Sequence, residues 1–387
     1  MGCKICGEED CKKHGFLFGV KKDLSKKEFA GSSPPEIFIG RWNYPNVYTG
    51  ILSPEEYGNN EIMASPEMWH SNKLGIGDIM DLRRRLIYGR TQGNVKRLNG
   101  KFNEVMKEVA MTHKSVATEF KLKKAIAKEK HPDVRVPLIA RAAVVDKVRL
   151  QENAKVLGKV DYIVNDTDVK SKDSILELHK SGIDNSNIIK LLSAGLLGLG
   201  SNRKLVPTRW AITAVDSNIS ENMLKKIKDC KQINEYMVFS DEYVGNHYEI
   251  LLIPRFWSFE VIEISLKSGG SWQDYESFFK RKKYADSVTG AYYSNRVGVV
   301  EYLEKIKRQA SVLIFREVKP SYYAPLGVGI LRETTRSAFK KEPRKFNSLQ
   351  EAFDDIQTRL SIPIERFLEK SQMMDDMQQK TLTGFMQ

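Results

Sequence analysis

The residues best suited to chemistry stand at the start of the chain, where Cys3, Cys6, Cys11 and His14 read C-x2-C-x4-C-x2-H. Thiolate and imidazole are preferred ligands of Zn2+, Cys3 and Cys6 are spaced as in a knuckle turn, and four donors complete a tetrahedron. Closed coordination leaves no position for water, so the expected ion is structural. An iron–sulfur or redox cluster and chance clustering are the competing readings. A second group, Asp161, Asp166 and Asp168 in DYIVNDTD, follows the pattern of carboxylates that hold Mg2+ for phosphoryl chemistry. The same residues also read as a turn leading into a helix from Ser174 to Lys180, and that reading is preferred. Mg2+ is expected only in the event of catalysis.

Cations and aromatic rings recur inside loops. Residues Ser32 to Leu52 contain Pro34, Pro35 and Pro45, with Phe38, Trp42, Tyr44 and Tyr48 around Arg41. A rigid aromatic loop with one guanidinium can cradle a base and a phosphate; packing onto a core with no ligand remains the alternative. Arg209, Trp210 and Asp216 lie just before a helix that Ser220 is placed to cap, with Ile219 and Leu224 as a hydrophobic staple. Arg296 and Arg332 fall in two further glycine-rich stretches. Arg41, Tyr44, Arg209, Trp210, Asp216, Arg296 and Arg332 are therefore the candidates for nucleotide or DNA binding. An enzymatic version has the four arginines grip phosphates while Asp216 or Glu333 serves as acid, base or metal ligand. No P-loop, His-Glu-x-x-His or nucleophile elbow accompanies them, so whether the protein is an enzyme stays open.

The elements that must position these residues change character along the chain. Ile79, Leu82 and Leu86 repeat at helical spacing, and Asn94 opens a long helical segment through Val95, Leu98, Phe102, Val105, Met106 and Val109. Lys121, Lys123, Lys124, Lys128 and Lys130 read as a basic run on its continuation, either a solvated helix face or a row of phosphate contacts. From Ile233 onward β-branched and aromatic residues dominate, and Pro254-Arg255 breaks His247–Ile253 and Phe256–Leu266 into an expected antiparallel pair. Ser348 and Glu351 form a capping box. The expected fold class is α+β: a helical N-terminal half, a mainly antiparallel sheet, and a small N-terminal zinc motif.

The chain has 387 residues, 41% of them hydrophobic, enough for a sizeable core and for two domains. A net charge of +13 favours an anionic partner, DNA among them. No secretory signal or membrane-length apolar run is present, and four cysteines do not make a disulfide framework, so a cytoplasmic, reducing location without a membrane partner is expected. At the other end, Gln379, Leu382, Phe385 and Met386 resemble the peptide by which repair and replication proteins dock on the PCNA sliding clamp. One helical turn between Leu382 and Phe385 makes an apolar plug, with the Gln379 amide left for the rim of a pocket.

Taken with this tail, the N-terminal cluster, SSPPEIFIGRWNYPNVYTG, VPTRWAITAVDSNIS, GAYYSNRVGVVEYLEKIKRQA and YYAPLGVGILRETTRSAF make the chain similar to the archaeal Nre family of DNA repair proteins over nearly its whole length. The resemblance implies a two-part architecture, an N-terminal domain placed at 16–287 and a C-terminal domain at 288–370, between the zinc-binding motif read at residues 1–15 and a tail at 371–387 carrying the clamp motif. It implies a repair factor that binds nucleic acid and is recruited to PCNA. A nucleotide- or DNA-processing enzyme delivered by the clamp, using phosphoryl or nucleotidyl chemistry, and a non-catalytic adaptor are the alternatives.

Overall fold

A computed structural model describes residues 26–126 and 140–378. The chain divides into two compact units, one built from residues up to 219 with 323–327, the other from 220–322 and from 328 onward.

The first unit holds a six-stranded sheet as well as helices. Its strands are β1 (Glu28–Ser33), β2 (Ile37–Ile39), β3 (Asn46–Ser53), β4 (Ile87–Asn94), β5 (Val116–Leu122) and β6 (Arg141–Leu150), in the order β1-β5-β6-β4-β3-β2. All neighbours are antiparallel except β4 and β6. This corrects the expected helical N-terminal half. Along β5, Val116, Thr118, Phe120 and Leu122 are buried while Lys121 between them is exposed, the two-residue period of a strand with one face on a core. Of the expected basic run, Lys121 lies on β5 and not on a helix, Lys123 and Lys124 follow the strand, and Lys128 and Lys130 lie outside the described residues. A helix does form at Lys101–Met111, burying Met106, Val109 and Ala110 at helical spacing. Asn94, however, ends β4 instead of opening that helix, because β4 pairs with β3 from Ile87 to Asn94.

The second unit holds β7 (Tyr236–Tyr243), β8 (Asn246–Ile253), β9 (Ser258–Ser265), β10 (Ser271–Glu276), β11 (Ser311–Val318) and β12 (Arg344–Phe346), ordered β10-β9-β11-β8-β7-β12. The segments on either side of Pro254 do not pair with one another as expected. β11 lies between them, antiparallel to β8 and parallel to β9. Seven of its eight residues are buried, the burial of a central strand covered on both faces. On one face Leu251, Ile253, Ile262, Leu313 and Phe315 pack with Ala352, Phe353, Ile356 and Phe367 from the later helices. On the other, the Phe259 ring meets Tyr292 of helix Gly290–Ile306 edge-on at 5.1 Å.

The fold is therefore α+β with helices and strands mixed through both units, and the described residues hold no zinc cluster. Among the described residues no group of three or more His, Cys, Asp and Glu side chains could hold a metal ion, so none is found there for the conditional Mg2+ either. Cys3, Cys6, Cys11 and His14 lie outside the described residues. The Asp166 side chain accepts from the Asp168 amide at 3.1 Å, closing a turn before helix Ser171–Lys180. No described helix is long and apolar enough to cross a membrane.

Candidate nucleic-acid interface

Two of the expected candidate stretches meet in the first unit. The β2–β3 turn carries Arg41, Trp42 and Tyr44, with Asn43 in the left-handed region at φ 60°. Asparagine tolerates that conformation better than most residues, and the Asn46 amide closes the turn on the Asn43 carbonyl at 2.8 Å. Gly50 lies on β3 behind it, where a Cβ would collide with the Gly89 carbonyl and the Tyr88 ring.

The second stretch begins helix Thr208–Ile227, which runs unbroken through the buried Ser220. Ser220 is thus a mid-helix residue and not the expected cap; Pro207, with no amide hydrogen to leave unpaired, stands at the true start. Arg209 and Trp210 occupy the first turn. The Thr208 hydroxyl accepts from the Ile39 amide at 2.9 Å, and the Trp210 and Tyr44 rings lie 5.1 Å apart at 52°.

A third stretch, the end of β4 and the loop beyond it, completes the face. The Asn94 amide group donates to the Asn46 side chain at 3.1 Å. The Val95 amide donates to the Pro45 carbonyl and the Leu205 amide to the Val95 carbonyl, both at 2.9 Å. Beside this seam opens a cleft of about 360 Å³ whose lining includes Thr49, Thr91, Asn94, Arg97, Lys101 and Leu205.

The electrostatics of the face follow from its composition. Residues 40–49, 90–103 and 203–210 contain eight cations (Arg41, Arg90, Lys96, Arg97, Lys101, Arg203, Lys204 and Arg209) and no Asp or Glu. Arg203 is structural, donating to the carbonyls of Gly198, Val164 and Asp166 at 2.8–2.9 Å; its burial pulls its pKa down, and Asp166 offsets part of that. Arg90 lies over the Tyr48 ring at 4.1 Å and Arg41 over the Trp42 ring at 4.9 Å. Arg41, Lys96, Arg97, Lys101, Lys204 and Arg209 are exposed. So are the rings: Trp42 is 76% exposed, Tyr44 43% and Trp210 45%.

The other candidates lie elsewhere. Asp216 is fully buried and accepts from the Asn185 side chain at 3.1 Å. Arg296, in the second unit, is buried and donates to Glu276 at 2.8 Å and Ser220 at 3.1 Å. Burial alone would lower its pKa, but the Glu276 carboxylate holds it above the ordinary value. Arg332 is buried in helix Gly329–Ala338, and Glu333 accepts from Arg336 at 2.8 Å. Gln379, Leu382, Phe385 and Met386 lie outside the described residues. Sequence reasoning passed over Arg90, Arg97 and Lys101; the signal for them was the run from Arg90 to Asn103 with four cations and no acid.

Comparison with known proteins completes the picture. Residues 5–273 match the family model described as archaeal Nre, N-terminal, and residues 276–385 the one described as archaeal Nre, C-terminal. The chain is 35% identical over 377 residues to DNA repair protein NreA of Archaeoglobus fulgidus, covering 94% of this chain and 92% of the relative. It is 32% identical over 394 residues to DNA repair protein NreB of the same organism, covering 100% and 98%. DNA repair protein NreA of Haloferax volcanii is 33% identical over 369 residues, with 90% and 87% covered. No solved structure matches the chain. Two family models that together span nearly all of the sequence, and relatives matched along almost their full lengths, establish that this chain belongs to the archaeal Nre family.

Proposed function

We propose that this chain is a cytoplasmic DNA repair factor that binds DNA through the cation-rich face of its first unit and is recruited to PCNA by Gln379, Leu382, Phe385 and Met386. The observation that carries the DNA-binding part is the convergence of three segments with eight cations and no carboxylate. A phosphate backbone approaching these segments meets an excess of positive charge, with Glu104, one turn after Lys101, as a neighbouring acid, and neutralising phosphates releases counterions. The printed names of the NreA and NreB relatives, both DNA repair proteins, support the biological setting. The recruitment part rests on the spacing of the tail residues. Tethering to a clamp raises the local concentration of a modest DNA binder without any new DNA contact.

A titration of labelled DNA across a salt series tests the first part: affinity falls steeply and log-linearly with salt, and Arg97→Glu with Lys101→Glu weakens it. Salt-independent or absent binding rejects it. For the second part, deletion of residues 379–387 abolishes PCNA binding while leaving DNA affinity unchanged; undiminished clamp binding by the truncated protein rejects recruitment through this tail.

A further inference from the structure

Building on the DNA-binding reading, we infer that this face takes an unpaired strand, with exposed bases stacking on Trp42 and on the Tyr44–Trp210 pair while Arg41, Arg97, Lys101 and Arg209 hold phosphates. The charge of the face accounts for attraction to any DNA; the rings account for the form of DNA. A largely solvent-exposed indole is an unusual use of the largest apolar side chain, and here it stands on a turn beside a second exposed indole and an exposed phenol. Base π-faces are hidden inside the stack of an intact duplex, and only unstacked bases offer them to a ring. A duplex-binding surface needs cations placed along two phosphate rows and gains little from rings that meet only the outside of the backbone.

The local structure keeps the rings available. Asn43, the Asn46–Asn43 turn bond and the Val95–Pro45 bond fix the backbone on both sides of Tyr44. The platform is therefore set before a ligand arrives, which lowers the ordering cost of binding. Arg41 over the Trp42 ring leaves a cation next to the phosphate that would follow a base stacked on the open side of the indole. The cleft lined by Thr49, Thr91, Arg97 and Lys101 adjoins through Asn94 and gives the strand a polar, cation-rimmed continuation. Cations outnumber acids along this path, on which Glu104 is the acid next to the cleft.

The full chain is titrated with one labelled sequence as a single strand and as a blunt duplex, at equal salt. The expected result is a single-strand affinity at least about tenfold above that of the duplex. Trp42→Ala and Trp210→Ala each lower the single-strand affinity by about tenfold and the duplex affinity by less than about twofold, in line with the loss of one stacked base. Trp42→Phe restores most of the loss, and the single strand quenches tryptophan fluorescence less in Trp42→Phe than in the parent. Trp272→Ala, an exposed indole of the second unit, leaves both affinities unchanged. Equal affinity for the two forms, or equal losses for both in Trp42→Ala, overturns the strand preference and leaves the DNA-binding reading intact. Absence of binding to either form overturns both.

Discussion

In the second unit Arg296 donates to Glu276, Arg336 makes a two-pronged contact with Glu301, and Arg359 reaches both Glu249 and Asp355. In the first unit Arg41, Arg97 and Arg209 point to solvent with no ion pair among the described residues. The same guanidinium thus answers to two different surroundings. Where a carboxylate faces it under cover, it fixes the register of packed elements, at a desolvation cost that the attraction barely offsets. Where no acid lies nearby, its charge remains open to an outside anion. Net charge alone conceals this division, because a paired arginine and an open one count equally toward +13.

The largest expected effect breaks the buried side of the comparison. Glu276 accepts from Arg296 at 2.8 Å and from the Trp257 indole at 3.1 Å, and all three side chains are buried. Glu276→Ala takes the paired carboxylate from a buried cation that keeps Ser220, and the acceptor from an indole N–H, and should destabilise the protein by about 3 kcal/mol in urea unfolding. Pairing it with Arg296→Met removes the uncompensated charge and should recover a large part of that loss. A cost below about 1 kcal/mol for Glu276→Ala would mean that water reaches the pair, contrary to its burial.

A smaller effect comes through pH. Burial would raise the pKa of Glu249, but hydrogen bonds from His247, Arg359 and Ser240 outweigh it and hold the carboxyl below the ordinary carboxylate range. A carboxyl with a depressed folded value contributes stability that is present above its unfolded pKa, about 4.3, and is lost as pH falls through the folded value. Denaturation midpoints measured from pH 7 downward should therefore drop through this acidic window. Glu249→Gln should start lower and show a shallower fall. A parallel curve for the variant would assign the acid sensitivity to other carboxylates, with Asp355, lowered by the same arginines against its own burial, as the next to test.

The two sides of this comparison were unequally visible in the sequence. Tyr44 and Trp210 could be singled out because proline, glycine and aromatic residues crowd the stretches that contain them, yet nothing in the one-dimensional pattern said that their rings meet at 5.1 Å. That contact depends on β2 hydrogen-bonding to Thr208, a pairing across most of the unit. β4 was missed because Gly89, Arg90, Gln92, Gly93 and Asn94 are poor strand formers, held extended by pairing with β3 rather than by their own propensity. The central place of β11 was hidden for a related reason: its uniform burial identifies a core strand but not its neighbours. Arg296 and Arg332 look like Arg41 in sequence, each in a glycine-rich stretch, and only burial separates them.

The smallest effect on stability sharpens the comparison from the exposed side. Among the described residues Arg41 and Arg209 touch no carboxylate, and each projects from a backbone held by other contacts, the Asn46–Asn43 bond in one case and the helix in the other. Arg41→Ala and Arg209→Ala should each change the unfolding free energy by no more than about 0.5 kcal/mol, the range of surface substitutions. Each should still remove one phosphate contact and so reduce the slope of log affinity against log salt by about 0.7–0.9. Stability loss in step with the affinity loss would show these arginines working inside the fold, as Arg296 does, and would erase the distinction between the two units. An unchanged fold with a shallower salt slope is the signature of a cation reserved for a ligand, since a side chain whose loss leaves the fold unchanged weakens binding by giving up its own phosphate contact.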